Sequence, residues 1–243
     1  MKILALDSSG LVASVAIIED EEMIAEYTIN YKKTHSQTLL PMIDEIAKMI
    51  ELDMKTIDAI AIAAGPGSFT GLRIGSATAK GLGLALDKPL IAVPTVEGLA
   101  YNLYGTNALI CPIMDARRNQ VYTGVYYFAD KKLKTLKEQC AEDIKETIDF
   151  LNKQEIPVIF LGDGVPVFKD IIAANMQGEY SFAPAHLSRQ RAGALGALGM
   201  CYYHDGKSVS AAEHAPDYLR VSQAEREQAD KEKMNASSEA NGS

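Results

Sequence analysis

Ile3-Leu4-Ala5-Leu6-Asp7-Ser8-Ser9-Gly10, followed by Val12-Ala13-Ser14-Val15-Ala16-Ile17-Ile18, sets the architecture. The first run is a short apolar strand that stops at a carboxylate. Ser8-Ser9-Gly10 is turn chemistry, since Gly accepts unusual dihedrals and Ser bonds nearby main chain. A second strand resumes at Val12 and ends on the polar tip Glu19-Asp20-Glu21-Glu22, and a third covers residues 24–29, so the opening is an antiparallel meander. The period then lengthens. Leu39, Ile43, Ile46 and Ile50 recur at helical spacing. Residues 58–64 form a continuous apolar run, as a strand buried on both faces requires. A helix over 70–86, a short buried strand over 90–93 and a helix from Thr95 that fades at Tyr104-Gly105-Thr106 complete the half. Three meander strands followed by alternating helices and strands is the ribonuclease H-like order.

The second half opens in the same way. Residues 109–114 are an apolar run ending in Asp115; Ala116-Arg117-Arg118-Asn119 is a polar turn; a strand follows over 121–128. Strand, Asp, turn, strand thus stands at Asp7 and again at Asp115, which reads as a degenerate internal duplication. A strand over 133–140, a helix over 144–152, a buried strand over 158–161 closed by Gly162-Asp163-Gly164, and helices over 167–174 and 192–203 follow. The expected fold is α/β: two tandem ribonuclease H-like lobes with the actin-like ATPase (ASKHA) architecture. The expected boundaries are residues 1–106 and 107–221, with the helix near 192–203 free to pack back on the first lobe. Residues 222–243 form a polar tail with almost nothing to bury.

The bulk chemistry narrows the function. At 243 residues and a net charge of −8, the chain has no overall basic surface with which to grip RNA alone. The three cysteines, Cys111, Cys140 and Cys201, are far apart and form no CxxC. The histidines show no HExxH or HxxxH spacing. No apolar run approaches the roughly 20 residues that span a bilayer, and the first strand meets Asp7 too soon for a signal segment. A cytoplasmic protein without a membrane partner is expected.

The strongest motif is Gly65-Pro66-Gly67-Ser68-Phe69-Thr70-Gly71-Leu72-Arg73-Ile74-Gly75, between a buried strand and a helix. Its glycines permit close backbone approach, and a helix N-terminus offers N–H groups to an anion. Neither a Walker A loop nor GxGxxG is present, so a tight turn with Ser68 or Thr70 as N-cap is an equal reading. Asp7, Ser8, Ser9, Gly67, Ser68, Arg117 and Arg118 are the candidate nucleotide or phosphate residues. Two adjacent guanidinium groups can hold phosphate or a partner carboxylate bidentately, or simply sit at a solvated hairpin tip. Asp115 reads as a turn-capping residue and Gly162-Asp163-Gly164 as a turn.

Leu4-Ala5-Leu6-Asp7-Ser8-Ser9, then His35-Ser36 with Leu40-Pro41, then the Gly65 to Gly75 run with Ala79-Lys80-Gly81, then Asp115-Ala116-Arg117-Arg118-Asn119-Gln120-Val121-Tyr122 together resemble the TsaB/YeaZ family of tRNA threonylcarbamoyladenosine biosynthesis. The resemblance is close over residues 1–125 and looser beyond. It implies a non-catalytic scaffold or activating subunit, an inactive TsaD-like (glycoprotease-like) paralogue with no catalytic residue or metal of its own. The implied partners are a TsaD-type catalytic paralogue and a TsaE-type ATPase, with self-pairing into a homodimer when alone. The implied product is threonylcarbamoyl-adenosine in tRNA reading codons that start with A. The tRNA is reached only through the complex, and no cofactor is required by this chain, ATP belonging to the complex. Two departures bear on the alternative, a stand-alone actin-like ATPase or kinase. Ser9 stands where the Asp-x-Gly-x-Thr phosphate loop has Gly, and Leu39 stands where the HxxxH metal pair of the catalytic paralogue would put its second histidine after His35.

Two helices carry more apolar surface than one sheet face requires. The helix through Leu39, Ile43 and Ile46 has Met42 and Met49 on one shoulder. The helix through Leu72, Gly75, Ala79 and Leu82 is small or apolar nearly all round, with Arg73 and Lys80 its only charges. An apolar stripe of roughly 100° suffices for packing on one sheet, and helical glycines cost up to about 1 kcal/mol each. These nine residues are therefore the expected partner interface, against the alternative that both helices are buried within their own fold.

Overall fold

The structure, a computed structural model, describes residues 1–219. The expected tail at 222–243, and the end of the second expected lobe, lie outside the described residues. Strands β1 (Lys2–Asp7), β2 (Ala13–Glu19) and β3 (Glu22–Ile29) form the meander. Helix α1 (Leu39–Met49) leads to β4 (Ala59–Gly65), α2 (Phe69–Leu86), β5 (Leu90–Pro94) and α3 (Thr95–Ala100). The second half runs β6 (Leu109–Asp115), β7 (Gln120–Ala129), β8 (Lys132–Asp143), α4 (Ile144–Leu151), β9 (Val158–Leu161), α5 (Val165–Asn175), β10 (Tyr180–Phe182) and α6 (Ala192–His204).

The duplication is complete at the level of topology. One five-stranded sheet has the order β3-β2-β1-β4-β5, and the other β10-β9-β6-β7-β8, the same order read from its far edge. In each, the first strand runs antiparallel to the second and parallel to the fourth. The short β10, which parallels β9, is the strand that the hydrophobic pattern did not reveal.

Side-chain alternation divides each sheet between two cores. Leu4 and Leu6 face α1 and α2 in a cluster with Val15, Ile60 and Ile62, while Ile3 and Ala5 face α6 through Leu195 and Leu198. On the second sheet, Val121, Val125 and Phe160 face α4 and α5 through Ile148, Phe168 and Ile172. The opposite face, Ile110, Met114 and Tyr126, is covered by Val96 and Leu99 of α3. The two lobes thus exchange their last helices. The helix that follows β5 covers the second sheet, and the one that follows β10 covers the first.

α6 approaches its adopted sheet closely because both sides are small. A Cβ at Gly196 would stand 2.2 Å from the Ile18 side chain and 2.8 Å from that of Ala5. The helix start is also supplied from the first lobe. Ser14 Oγ accepts from Ala192 N at 2.8 Å, and Glu26 accepts from Gly193 N at 2.9 Å and pairs with Arg191. Beyond α6 the chain returns as a strap along the edge of β5. Val209 and Leu90 exchange main-chain bonds of 2.9 Å in both directions, Lys80 Nζ donates to the carbonyls of Ala212 and His214, and Asp217 N donates to Ala64 O at 2.7 Å. No helix among the described residues is long and apolar enough to cross a membrane.

Candidate functional site

A cleft of ≈ 650 Å³ opens where the two lobes and the strap meet. Ser9, Gly10, His35 and the Pro66 to Thr70 loop line one wall; Asp115, Arg117 and Asp163 line the other; Asp217 and Tyr218 of the strap close one side.

The first wall is satisfied from within. Asp7, at the end of β1, is 2% exposed, and its Oδ1 accepts from Ser9 N at 2.9 Å and from Ser9 Oγ at 2.6 Å. Burial pushes its carboxyl up to about 6 from 3.8, against the Ser9 hydrogen bonds and the nearby His35, which pull it down. The turn that follows lies on the start of α2. Ser9 O accepts from Ser68 N at 2.7 Å, and Ser8 Oγ donates to Gly71 O at 2.9 Å. Ser68 is the N-cap, its hydroxyl accepting from Gly71 N at 3.3 Å. A Cβ at Gly67 would stand 2.3 Å from Ser9 O, and one at Gly71 2.1 Å from Ser8 O. The glycines of the motif therefore serve the contact between the β1–β2 turn and α2, and the peptide of Ser9 occupies part of the helix N-terminus that an anion would use. His35, in a 3₁₀ turn before α1, places Nε2 2.9 Å from Gly10 O.

The second wall is acidic. Asp115 Oδ1 accepts from Arg117 N at 2.8 Å, the turn-capping role read from sequence. Asp163 accepts from Asp115 N at 3.3 Å, and burial raises its carboxyl above the usual range against the pull of that bond and of Arg189. Arg117, Arg118 and Asn119 all adopt positive φ at the hairpin tip. Arg117 reaches the cleft lining and Arg118 does not, so the two guanidinium groups do not converge on one ligand. Among the described residues, an incoming phosphate meets Asp115, Asp163 and Asp217 against the guanidinium of Arg117.

The strap residues were not anticipated. Tyr218 stacks 4.8 Å from Phe69, whose other neighbour, the Arg73 guanidinium, lies 3.9 Å from the ring centroid, and Gln139 of the second lobe donates to Asp217 at 2.9 Å. These contacts join positions distant in sequence and have no local signature. Among the described residues, no group of three or more His, Cys, Asp or Glu could hold a metal.

Most of the expected interface is core. Leu39, Met42 (3% exposed), Ile43, Ile46, Leu72 and Ala79 (0%) are buried in the first-lobe cluster. Gly75 is buried as well, with Ser8 Oγ 2.4 Å from where its Cβ would be. The backbone that approaches α2 is thus the chain's own β1–β2 turn. The arc of α1 is wide because that helix packs on β2, β3 and α2 at once. Leu82 is half-buried, and Met49, 75% exposed, remains on the surface. The surface of the two helices is instead Leu40, Met49, Arg73, Ala77, Gly81 and Leu84, the last 64% exposed.

Comparison with known proteins places this geometry. The family model described as TsaD: tRNA N6-adenosine threonylcarbamoyltransferase matches residues 22–228. The tRNA threonylcarbamoyladenosine biosynthesis protein TsaB of Bacillus subtilis (strain 168) is 33% identical over 225 residues, 93% of this chain and 96% of that protein. The chain belongs to the TsaB/YeaZ family. A crystal structure from Pseudomonas aeruginosa of an uncharacterized protein with similarity to the peptidase YeaZ superposes with a TM-score of 0.78 at 26% identity, covering 90% of this chain and 99% of that one. An inorganic polyphosphate/ATP-glucomannokinase from Arthrobacter shares the fold, with a TM-score of 0.50 at 12% identity over 84% of this chain and 99% of that one. The actin-like, two-lobed architecture expected from sequence is therefore that of the TsaB/YeaZ family.

Proposed function

We propose that this chain is the non-catalytic, organising subunit of a tRNA threonylcarbamoyl transferase, working with a TsaD-type paralogue that carries the chemistry and a TsaE-type ATPase. The observation that carries the reading is the spent phosphate loop. Asp7 is buried and bonded twice by Ser9, and Ser9 O takes the N–H of Ser68 at the head of α2. A chain that kept the two-lobed scaffold while turning its first-strand carboxylate inward has lost the means to hold a nucleotide alone. This disfavours the stand-alone ATPase or kinase. ATP then belongs to the assembly, and tRNA, repelled by a net charge of −8, is held by a more basic subunit.

The face offered to the paralogue is the exposed side of α1 and α2: Leu40 and Met49 on the first, Ala77, Gly81 and Leu84 on the second. Among the described residues a Cβ at Gly81 would meet nothing within 4 Å, so this glycine serves no contact there and leaves room for another helix. The test is reconstitution with the TsaD-type and TsaE-type proteins. Leu84→Glu is expected to abolish association and threonylcarbamoyl transfer while the chain melts as the wild type does. Full transfer with Leu84→Glu would remove this face from the assembly.

A further inference from the structure

A second concavity, of ≈ 320 Å³, lies outside the cleft, between β3 and the C-terminal end of α1. Two backbone irregularities shape it. The β2–β3 register shifts between Ile17 and Ile18, leaving Ile24 as the extra residue of a bulge, and Glu51, just past α1, takes a positive φ of 52°. The floor is apolar, made by Ile17, Ile24, Ile50 and Leu52. The rim is acidic, made by Glu19, Glu51 and Asp53. Lys2, which also lines the groove, is already 3.4 Å from Glu19. Among the described residues neither Glu51 nor Asp53 has a salt-bridge partner; the Asp53 carboxylate accepts the main-chain N–H of Lys55, at 3.0 Å. Glu21 and Glu22 at the β2–β3 tip extend the same charge beyond the rim, while Asp20 between them and the strand is paired with the N-terminal ammonium of Met1.

We propose that this groove docks a lysine or arginine side chain presented by a basic segment of a partner protein. An apolar floor with carboxylates at its edge matches an amphipathic side chain, whose methylene stem packs while its cationic head meets the rim. The other occupants fit less well. The rim repels phosphate, which excludes a nucleic acid backbone. A hard divalent cation seeks six or more oxygen ligands, which an isoleucine and leucine floor does not supply. A bulge at an edge strand twists it away from further pairing, so the occupant is a side chain rather than an added strand. The proposal uses residues other than the α1–α2 face and the cleft, and stands or falls independently of the transferase reading.

The experiment uses the full chain alone, labelled at isoleucine and leucine methyl groups, titrated by NMR with the acetylated, amidated tetrapeptide LRLR and with its neutral counterpart LQLQ. The arginine peptide is expected to shift the methyl signals of Ile17, Ile24, Ile50 and Leu52, and the glutamine peptide to leave them in place. The double variant Glu51→Gln/Asp53→Asn keeps the turn-capping acceptor and is expected to weaken the arginine peptide by about fivefold or more. Equal response to both peptides, unchanged affinity in the double variant, or shifts confined to other residues would overturn the proposal. So would shifts of the same methyl groups that grow with protein concentration without peptide, which would make the groove a self-association surface.

Discussion

Ser9 Oγ donates a 2.6 Å hydrogen bond to Oδ1 of Asp7, and the same oxygen takes the main-chain N–H of Ser9 at 2.9 Å. One residue thus supplies both bonds to Oδ1 of the carboxylate that ends the first strand, and its own carbonyl takes the N–H of Ser68. The bonds run from strand to turn to helix, so these groups satisfy one another while Ser9 and Ser68 line the cleft. They tie together Asp7, Ser8, Ser9, Gly67 and Ser68, which the sequence singled out for a different purpose.

The proton inventory of Asp7 gives a pH signature. Its carboxyl is raised to about 6 in the fold from 3.8, so between those values the folded chain holds a proton that the unfolded chain has released. Its contribution is fully present below the unfolded value and is lost as pH rises through the folded one, by at most roughly 3 kcal/mol. Asp7→Asn keeps the acceptor for Ser9 and removes the titration. Denaturant unfolding of the two proteins from pH 4 to 7 is expected to show the variant gaining on the wild type as pH rises. A difference independent of pH would contradict the buried, raised carboxyl.

Two glycines on one helix are expected to respond in opposite directions. At Gly71 a new Cβ would stand 2.1 Å from Ser8 O, so Gly71→Ala should cost about 1–3 kcal/mol or more by forcing the turn off α2. At Gly81 no described residue would lie within 4 Å of the Cβ, so Gly81→Ala should stabilise the isolated chain by about 0.5–1 kcal/mol through helix propensity. Thermal melting of both variants checks the pair, and a loss at both positions would mean that the exposed face of α2 is covered within the chain.

This contrast also shows how far the sequence could be read. The succession of strands and helices, β10 excepted, was legible because β1, β4 and β9 are short apolar runs and α1 has a clean period. The Gly65 to Gly75 run was recognisable, but its purpose was not, since the close contact of Gly71 with Ser8 joins distant parts of the chain. Width of an apolar arc was also ambiguous: α1 is apolar over a broad arc because it packs on a sheet and on α2 together, which pattern alone cannot separate from a surface awaiting a partner. The exchange of α3 and α6 left a trace in Gly193, Gly196 and Gly199, spaced to line one side of a helix. The strap residues Asp217 and Tyr218 left none.

Met42→Glu and Leu84→Glu separate core from surface. Met42 is packed with Leu39, Ile43 and Ile46, so a carboxylate there is buried without a partner and should prevent stable folding or cost several kcal/mol. Leu84 faces solvent, and its replacement should leave the melting temperature of the isolated chain within a degree or two of wild type, as surface changes usually do. Circular dichroism melting decides. A well-folded Met42→Glu protein would place that side chain outside the core.

Lys80 holds the strap through the carbonyls of Ala212 and His214, at 3.0 and 2.9 Å. Lys80→Met keeps the stem and removes the charged donor, at a cost of about 1.5–3 kcal/mol for bonds of this kind. Hydrogen exchange is expected to show lost protection at the amides of Val209 and Asp217, which bond to Leu90 and Ala64, with the central strands unaffected. Unchanged protection at both amides would mean that the strap is anchored elsewhere.

The most direct test of an organising subunit is threonylcarbamoyl transfer to tRNA by the reconstituted assembly, comparing three forms of this chain: wild type, the cleft variant Asp7→Asn/Asp115→Asn/Asp163→Asn, and Leu84→Glu. Transfer is expected to depend on the presence of the chain, to survive removal of the three carboxylates once folding is verified, and to vanish with Leu84→Glu. Transfer abolished by the cleft variant while the assembly still forms, with full transfer by Leu84→Glu, would contradict the organising role and place chemistry in this chain's own cleft.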